Sequence, residues 1–148
     1  MIQSAATKYA IRAVCHLAGC CDGHPIQARE IADTLGIPYH FLSKILQELA
    51  RKGILTSTKG PGGGFRLVGS PEETSLYDLI SVVEGPISDT ECMLGLDICS
   101  DDAKCPMHDF WKSYRATFRR RMKTISLVDL VRAAEKKRQV SATLELVE

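Results

Sequence analysis

The feature that most constrains this chain is a glycine-rich tip, Lys59-Gly60-Pro61-Gly62-Gly63-Gly64, set between two short β-compatible stretches at 54–57 and 65–68. Glycine and proline at this density force a turn, so the two stretches return on each other as a hairpin. No Lys-Ser or Lys-Thr pair follows the glycines, and the run fails as a phosphate-binding P-loop. Two short apolar-periodic segments lie just upstream. In 27–35, Ile31, Ala32 and Leu35 share a face, and Gly36 stands just past the end, a position that favours glycine. Pro38 suits the first turn of the next segment, where Phe41, Leu42, Ile45, Leu46 and Leu49 make a stripe down to Gly53. Two helices joined through Gly36 form a helix-turn-helix pattern. A hairpin behind it makes a wing; the plainer alternative is a hairpin loop with no partner.

The other elements follow from the same periodicities. Ile11, Val14, Leu17 and Ala18 recur at helical spacing in a first helix over 2–21. Cys15 in it reads as a small core residue, and the adjacent Cys20 and Cys21 end it. Ser75, with Asp78 three residues on, is a short-armed capping box for a helix that Gly85-Pro86 stops. The segment 87–104 has no clear period and is acidic, so it reads as a loop shaped by its metal and not by a core. From about Cys105 to Thr124 the pattern is helical again. Ser126 and Asp129 start a last helix to about Arg138, followed by a loose tail after Val140.

That aperiodic segment carries the chemistry. Cys92, Cys99, Cys105 and His108 are spaced C-x6-C-x5-C-P-M-H. Thiolates select soft metals, iron–sulfur clusters and zinc, and histidine replaces cysteine at some clusters. A structural zinc site of three cysteines and one histidine is chemically sound as well. The blander reading is three unrelated loop thiols and a helix-capping histidine. There is neither a basic n-region with an apolar run at the start nor a stretch near 20 apolar residues, so a cytoplasmic protein with no membrane partner is expected. Six cysteines in such a chain point to metal or redox chemistry more than to disulfides.

Trp111, Tyr114, Phe118 and Ile125 fall at a coiled-coil-like spacing, with Met122 beside them. The side expected to face solvent is basic: Lys112, Arg115, Arg119, Arg120, Arg121 and Lys123. One helix cannot bury that many large apolar groups on itself, so a homodimer seam is expected. The alternative is packing on its own domain. With a net charge of only +1, any double-stranded DNA must be held by local patches. Tyr39, His40, Ser43 and Lys44, at the start of the second helix of the pair, are placed to reach base edges. Arg29, Arg51, Lys52 and Arg66 are candidates for phosphate contacts, which give affinity and salt dependence without reading sequence; each reads equally as a solvated charge.

The ordered set of motifs resembles the Rrf2 superfamily of bacterial regulators over nearly the whole chain. Thr7-Lys8-Tyr9-Ala10-Ile11-Arg12-Ala13 is similar to its first helix, and Gly60-Pro-Gly-Gly-Gly-Phe65 to its wing signature. Cys92, Cys99 and Cys105 are similar to its cluster cysteines. The stretch from Cys105 to Trp111 resembles the opening of its dimerisation helix, and Thr124 to Leu130 its closing motif. The resemblance implies a mainly α fold with a small β wing. It divides into a winged helix-turn-helix domain over 1–85, a cluster-binding loop over 86–105, and a dimerisation helix with its C-terminal helix over 106–148. It also implies a dimeric DNA-binding transcription regulator, and no enzyme, whose operator affinity follows an iron–sulfur cluster.

In IscR-like members three cysteines and a histidine hold a [2Fe-2S] cluster, and His108 stands where that histidine is expected. NsrR-like members use [4Fe-4S] with an N-terminal carboxylate, a position that is Lys8 here and cannot serve. The cysteine spacing departs from IscR by one residue between Cys92 and Cys99. Lys59 resembles a wing position where the family often has a minor-groove arginine; lysine keeps the charge without the planar fork. The expectation is therefore a [2Fe-2S] regulator, with [4Fe-4S] or zinc as other occupants. Its signal would be cluster status, redox or nitric oxide. The cluster would order the loop and pin the dimer helix against the recognition helix. A zinc- or thiol-based regulator without iron is the first alternative; a cluster carrier or electron-transfer protein, which needs no wing, is the second.

Overall fold

A computed structural model describes residues 4–20 and 23–145. It contains α1 (Ala5–Gly19), α2 (Ala28–Leu35), α3 (Tyr39–Arg51), β1 (Leu55–Thr58), β2 (Gly64–Leu67), α4 (Leu76–Glu84), α5 (His108–Lys123) and α6 (Leu127–Glu145). The fold is mainly α with a two-stranded antiparallel wing. Ile2, Cys21 and the last three residues lie outside the described residues, and the helix α6 continues past Val140, where a loose tail was expected. Among the described residues no helix is long and apolar enough to cross a membrane.

The helix-turn-helix forms because each short helix buries one stripe and a glycine reverses the chain between them. Ile31 and Ala32 of α2 and Leu42, Ile45, Leu46 and Leu49 of α3 are buried in one core with Ala10, Ala13, Val14 and Leu17 of α1. Gly36 takes the left-handed conformation at φ 62°, and its N–H caps the carbonyls of Ala32 and Asp33. Pro38 is the residue that caps α3 and not its first helical residue.

The hairpin pairs Leu55 with Leu67 and Thr58 with Gly64, one residue later at its start than the β-compatible runs suggest. It gains a third edge from Ile26, whose N–H and C=O bond Phe65 at 2.9 and 2.8 Å. That extra pairing explains one glycine of the tip. A Cβ on Gly64 would sit 2.3 Å from the Ile26 carbonyl oxygen.

Two capping boxes set the C-terminal helices. Ser75 and Asp78 close the one at α4, with both reciprocal bonds formed. Ser126 and Asp129 repeat it at α6: the Asp129 N–H donates to Ser126 Oγ at 3.2 Å, and the Ser126 N–H to the Asp129 carboxylate at 2.9 Å. The two entrances are stitched together, Leu76 N–H to Ile125 O at 2.8 Å and Leu127 N–H to Thr74 O at 3.0 Å. α6 then returns along α1, and α4 packs on α1, α3 and α5.

Candidate metal centre and nucleic-acid interface

α5 begins at His108, three residues later than the sequence pattern suggested, because Pro106 and Met107 form a turn. Cys105 therefore precedes the helix, and the turn, closed by His108 N–H to Cys105 O at 3.0 Å, brings cysteine and histidine together. Cys92, Cys99, Cys105 and His108 all line one concavity of about 420 Å³, with Leu96 and Ile98 at its wall. The donors come in two touching pairs. The Cys105 side chain hydrogen-bonds Cys92, and His108 Nδ1 lies 3.3 Å from Cys99 Sγ. Among the described residues, no three histidine, cysteine or acidic side chains gather closely enough to share a single metal ion.

The segment 87–104 is not an unstructured leash. Its first limb is clamped to α5 by side chains one helical turn apart. Trp111 Nε1 donates to Glu91 O at 3.0 Å. Arg115 Nη1 donates to Ser88 O at 3.2 Å and Glu91 O at 2.8 Å. Arg119 reaches Ile87 O at 3.0 Å and both oxygens of Asp89, and this guanidinium holds the Asp89 carboxyl below its usual range. A small bridge, Glu91 with Ile98, and the Cys99 N–H to Thr90 O bond at 2.9 Å then fold the chain between the first two cysteines into a hairpin-like turn. The limb at 87–91 is thus shaped by side chains of α5 as well as by whatever the cysteines hold, a contribution that the expectation of a loop shaped by its metal left out.

Arg115 was read as part of a solvent-facing basic stripe and is in fact 5% exposed. Its Nη2 approaches Cys99 Sγ at 3.8 Å, and its guanidinium lies 5.6 Å from the Trp111 ring centre. Cys92 is buried, yet the N–H groups of Leu94 and Leu96 bond its sulfur and hold the thiol below its usual range. These backbone bonds favour thiolate at Cys92. Cys15, half-buried in α1 at a distance along the chain, has its thiol pushed up by burial, as a packing residue would.

The expected dimer residues divide. Tyr114 is 45% exposed and stacks with Phe110, Trp111 and Phe118, ring centres 5.6 to 6.1 Å apart. Phe110, overlooked because it breaks the heptad spacing, is 60% exposed. Trp111 and Phe118 are half-buried. Met122 is 2% exposed inside its own chain, so it is a core residue and not part of a seam. Ile125 lies beyond the end of α5, in the stitch to α4.

On the other side of the molecule, Tyr39, His40, Ser43 and Lys44 occupy the first turns of α3, exposed or half-buried. Arg29 of α2 stacks over Tyr39 at 4.6 Å, and His40 meets the same ring edge-on at 5.5 Å. Gln47, not singled out from sequence, joins them by bonding Ser43, and Phe41, expected in the apolar stripe of its helix, stands 59% exposed between them. Arg51 and Lys52 sit at the opposite end of α3, about 18 Å away for twelve residues of helix, and Arg51 is paired with Glu48. They form no single patch with the first group. Lys59 and Arg66 are exposed on the wing.

The model of a family described as iron-dependent transcriptional regulators, Rrf2, matches residues 3–133. This chain belongs to the Rrf2 family. It is 32% identical over 138 residues to a candidate helix-turn-helix-type transcriptional regulator of Aquifex aeolicus, covering 92% of this chain and 95% of that one. It is 28% identical over 124 residues to the transcriptional regulator IscR of Aliivibrio salmonicida, covering 84% and 73%. Among solved structures, CymR, the global cysteine regulator of B. subtilis, superposes with a TM-score of 0.76 at 25% identity, covering 90% of this chain and 98% of that one. These relatives are transcription regulators and not enzymes. The Rrf2 chain described here is a DNA-binding transcription regulator.

Proposed function

We propose that this Rrf2 protein is a homodimeric regulator whose operator binding depends on an iron–sulfur cluster held by Cys92, Cys99, Cys105 and His108. The observation that carries the reading is the convergence of those four donors on one pocket. Their chemistry, three thiols and an imidazole, fits a soft iron–sulfur centre. Their grouping into two contacting pairs suits a two-iron cluster, in which each iron takes two protein ligands, better than a single zinc ion. A bound cluster would supply a centre sensitive to redox change, nitric oxide or iron supply.

The chain's own residues supply the transmission. Trp111, Arg115 and Arg119 tie the limb before Cys92 to α5. α5 packs on α4, and α4 packs on α3. The proposed route from pocket to recognition helix therefore runs mainly through α4. A ligand that binds one arrangement of the loop better than another biases this stack, as a population shift requires. Phe110, Tyr114 and Phe118 are the proposed seam with a second copy; Arg29, Tyr39, His40, Ser43, Lys44 and Lys59 are the proposed DNA contacts, with Arg51, Lys52 and Arg66 for flanking phosphates.

Anaerobic purification with visible absorption and iron and sulfide counts tests the cluster. Brown protein with equal iron and sulfide, and colourless Cys105→Ala protein that has lost cluster-responsive operator binding, are expected. Wild-type, cluster-responsive binding by Cys105→Ala would overturn the reading. A thiol-based regulator without iron is the second reading, favoured by the likeness to the B. subtilis cysteine regulator. It predicts iron-free protein whose DNA affinity responds to thiol oxidants.

A further inference from the structure

The two ring nitrogens of His108 have different partners. Nδ1 faces Cys99 Sγ at 3.3 Å, and Nε2 faces Asp101 Oδ1 at 3.1 Å. The ring is 3% exposed, so neither nitrogen has ready recourse to solvent. Asp101 is in turn held by Lys112, whose Nζ donates to its two oxygens at 2.9 and 2.6 Å. Lys112 stands four residues after His108 on α5, one turn along the same face. Imidazole and ammonium therefore grip one carboxylate from one side of one helix.

We propose that Asp101 and Lys112 are positioning residues that fix His108 as its Nε2–H tautomer and present a bare Nδ1 to the cysteine pocket. An ionised carboxylate only accepts hydrogen bonds. Both Asp101 oxygens accept from the Lys112 ammonium, so this ion-paired carboxylate has no proton to give His108. Nε2 must then be the donor, and in the neutral ring Nδ1 carries the lone pair. The opposite tautomer would aim an Nε2 lone pair at a carboxylate. Histidines that bind metals are oriented by such a partner on the far nitrogen, and its loss typically weakens metal binding about 10- to 100-fold. Lys112 has a separate task. Asp101 is 63% exposed, free to turn into water unless the ammonium holds both its oxygens.

The proposal rests on the reading of His108 as a ligand, but the tautomer is measurable without any metal. The full-length chain labelled with 15N-histidine, chelator-treated and kept reduced at pH 8, is examined by two-bond 1H–15N correlation. The wild type is expected to give a protonated Nε2 and an unprotonated Nδ1 at His108. Asp101→Ala is expected to give a mixture of tautomers, and Lys112→Gln a smaller shift towards that mixture. A protonated Nδ1 in the wild type, or an unchanged tautomer in Asp101→Ala, overturns the proposal.

Anaerobic reconstitution with ferrous iron and sulfide supplies the second arm. Wild-type protein carrying 15N only at Nδ1 is expected to show strong hyperfine coupling of that nitrogen to the reduced cluster, and Asp101→Ala to lose cluster to a chelator about 10-fold faster or more. Strong coupling from Nε2 instead would keep the ligand set and sink the proposal. Protein that takes up no cluster yet shows the tautomer change in Asp101→Ala would sink the cluster reading and leave the positioning role standing.

Discussion

Arg115 carries more of the site than its place in the sequence suggests. Its buried guanidinium bonds two loop carbonyls and faces a cysteine sulfur. Hydrogen bonds from a charged donor contribute about 1.5–3 kcal/mol each, and a lost partner leaves acceptors unpaired. Arg115→Met is expected to lower stability by about 2–3 kcal/mol in urea denaturation, and Arg115→Lys to recover only part, since one ammonium can replace Nη1 at the two carbonyls but not also Nη2 at the Cys99 sulfur. Equal stability of Arg115→Met and wild type would remove the clamp.

Glu84 offers a second test at this scale. Hydroxyl hydrogen bonds from Ser4, and then Thr7, hold its carboxyl below the usual glutamate range. A carboxyl depressed on folding contributes stability that is present above its unfolded pKa and lost as pH falls through the folded value. Glu84→Gln should thus be less stable than wild type at pH 7, with the gap closing as pH drops below about 4.3. A gap that stays constant down to pH 3 would show that the charge is not what the two hydroxyls hold.

At the level of elements, what could be read in advance was whatever repeats locally. The stripes of α2 and α3, the glycine after α2 and both Ser-x-x-Asp caps declare themselves within a few residues, because their physics is local. The clamp between 87–91 and α5 was invisible for the opposite reason. It joins backbone carbonyls, which carry no sequence signature, to arginines that look like ordinary solvated charges until something 24 residues away covers them. Phe110 was lost because a heptad was imposed on a helix whose inward face is Trp111, Arg115, Arg119 and Met122.

The wing shows the same division. Its turn is plain from composition, yet the reason for glycine at 64 is the distant Ile26 carbonyl. Gly64→Ala is expected to cost more than about 1 kcal/mol and to weaken operator binding, because the new Cβ must push Ile26 off the edge of the hairpin. Gly62, at φ 73° with open space around an added Cβ, provides the comparison, since its alanine variant carries left-handed backbone strain without the clash. If both alanine variants melt together and bind alike, the third edge does not anchor the wing.

For the whole molecule the open question is what covers α5. Phe110 and Tyr114 stay largely exposed while Met122, two turns on, is sealed inside the chain. That contrast separates the proposed interface from the core. In a two-fold dimer each seam residue occurs twice, so a substitution there is felt twice in the dissociation constant and barely in the folding of one chain. Removing a partly exposed ring forfeits about 1 kcal/mol of burial, which counted twice weakens self-association about 30-fold. Tyr114→Ala and Phe110→Ala should each do this in sedimentation equilibrium while melting near the wild type. Met122→Ala should do the reverse, losing about 2–5 kcal/mol of stability with little change in association. Operator affinity should follow the seam variants, because helix-turn-helix proteins gain their reach by presenting two recognition helices to paired half-sites. A wild-type chain that sediments as a monomer at micromolar concentration, or seam variants that associate as tightly as it does, would leave the aromatic face of α5 without its proposed partner.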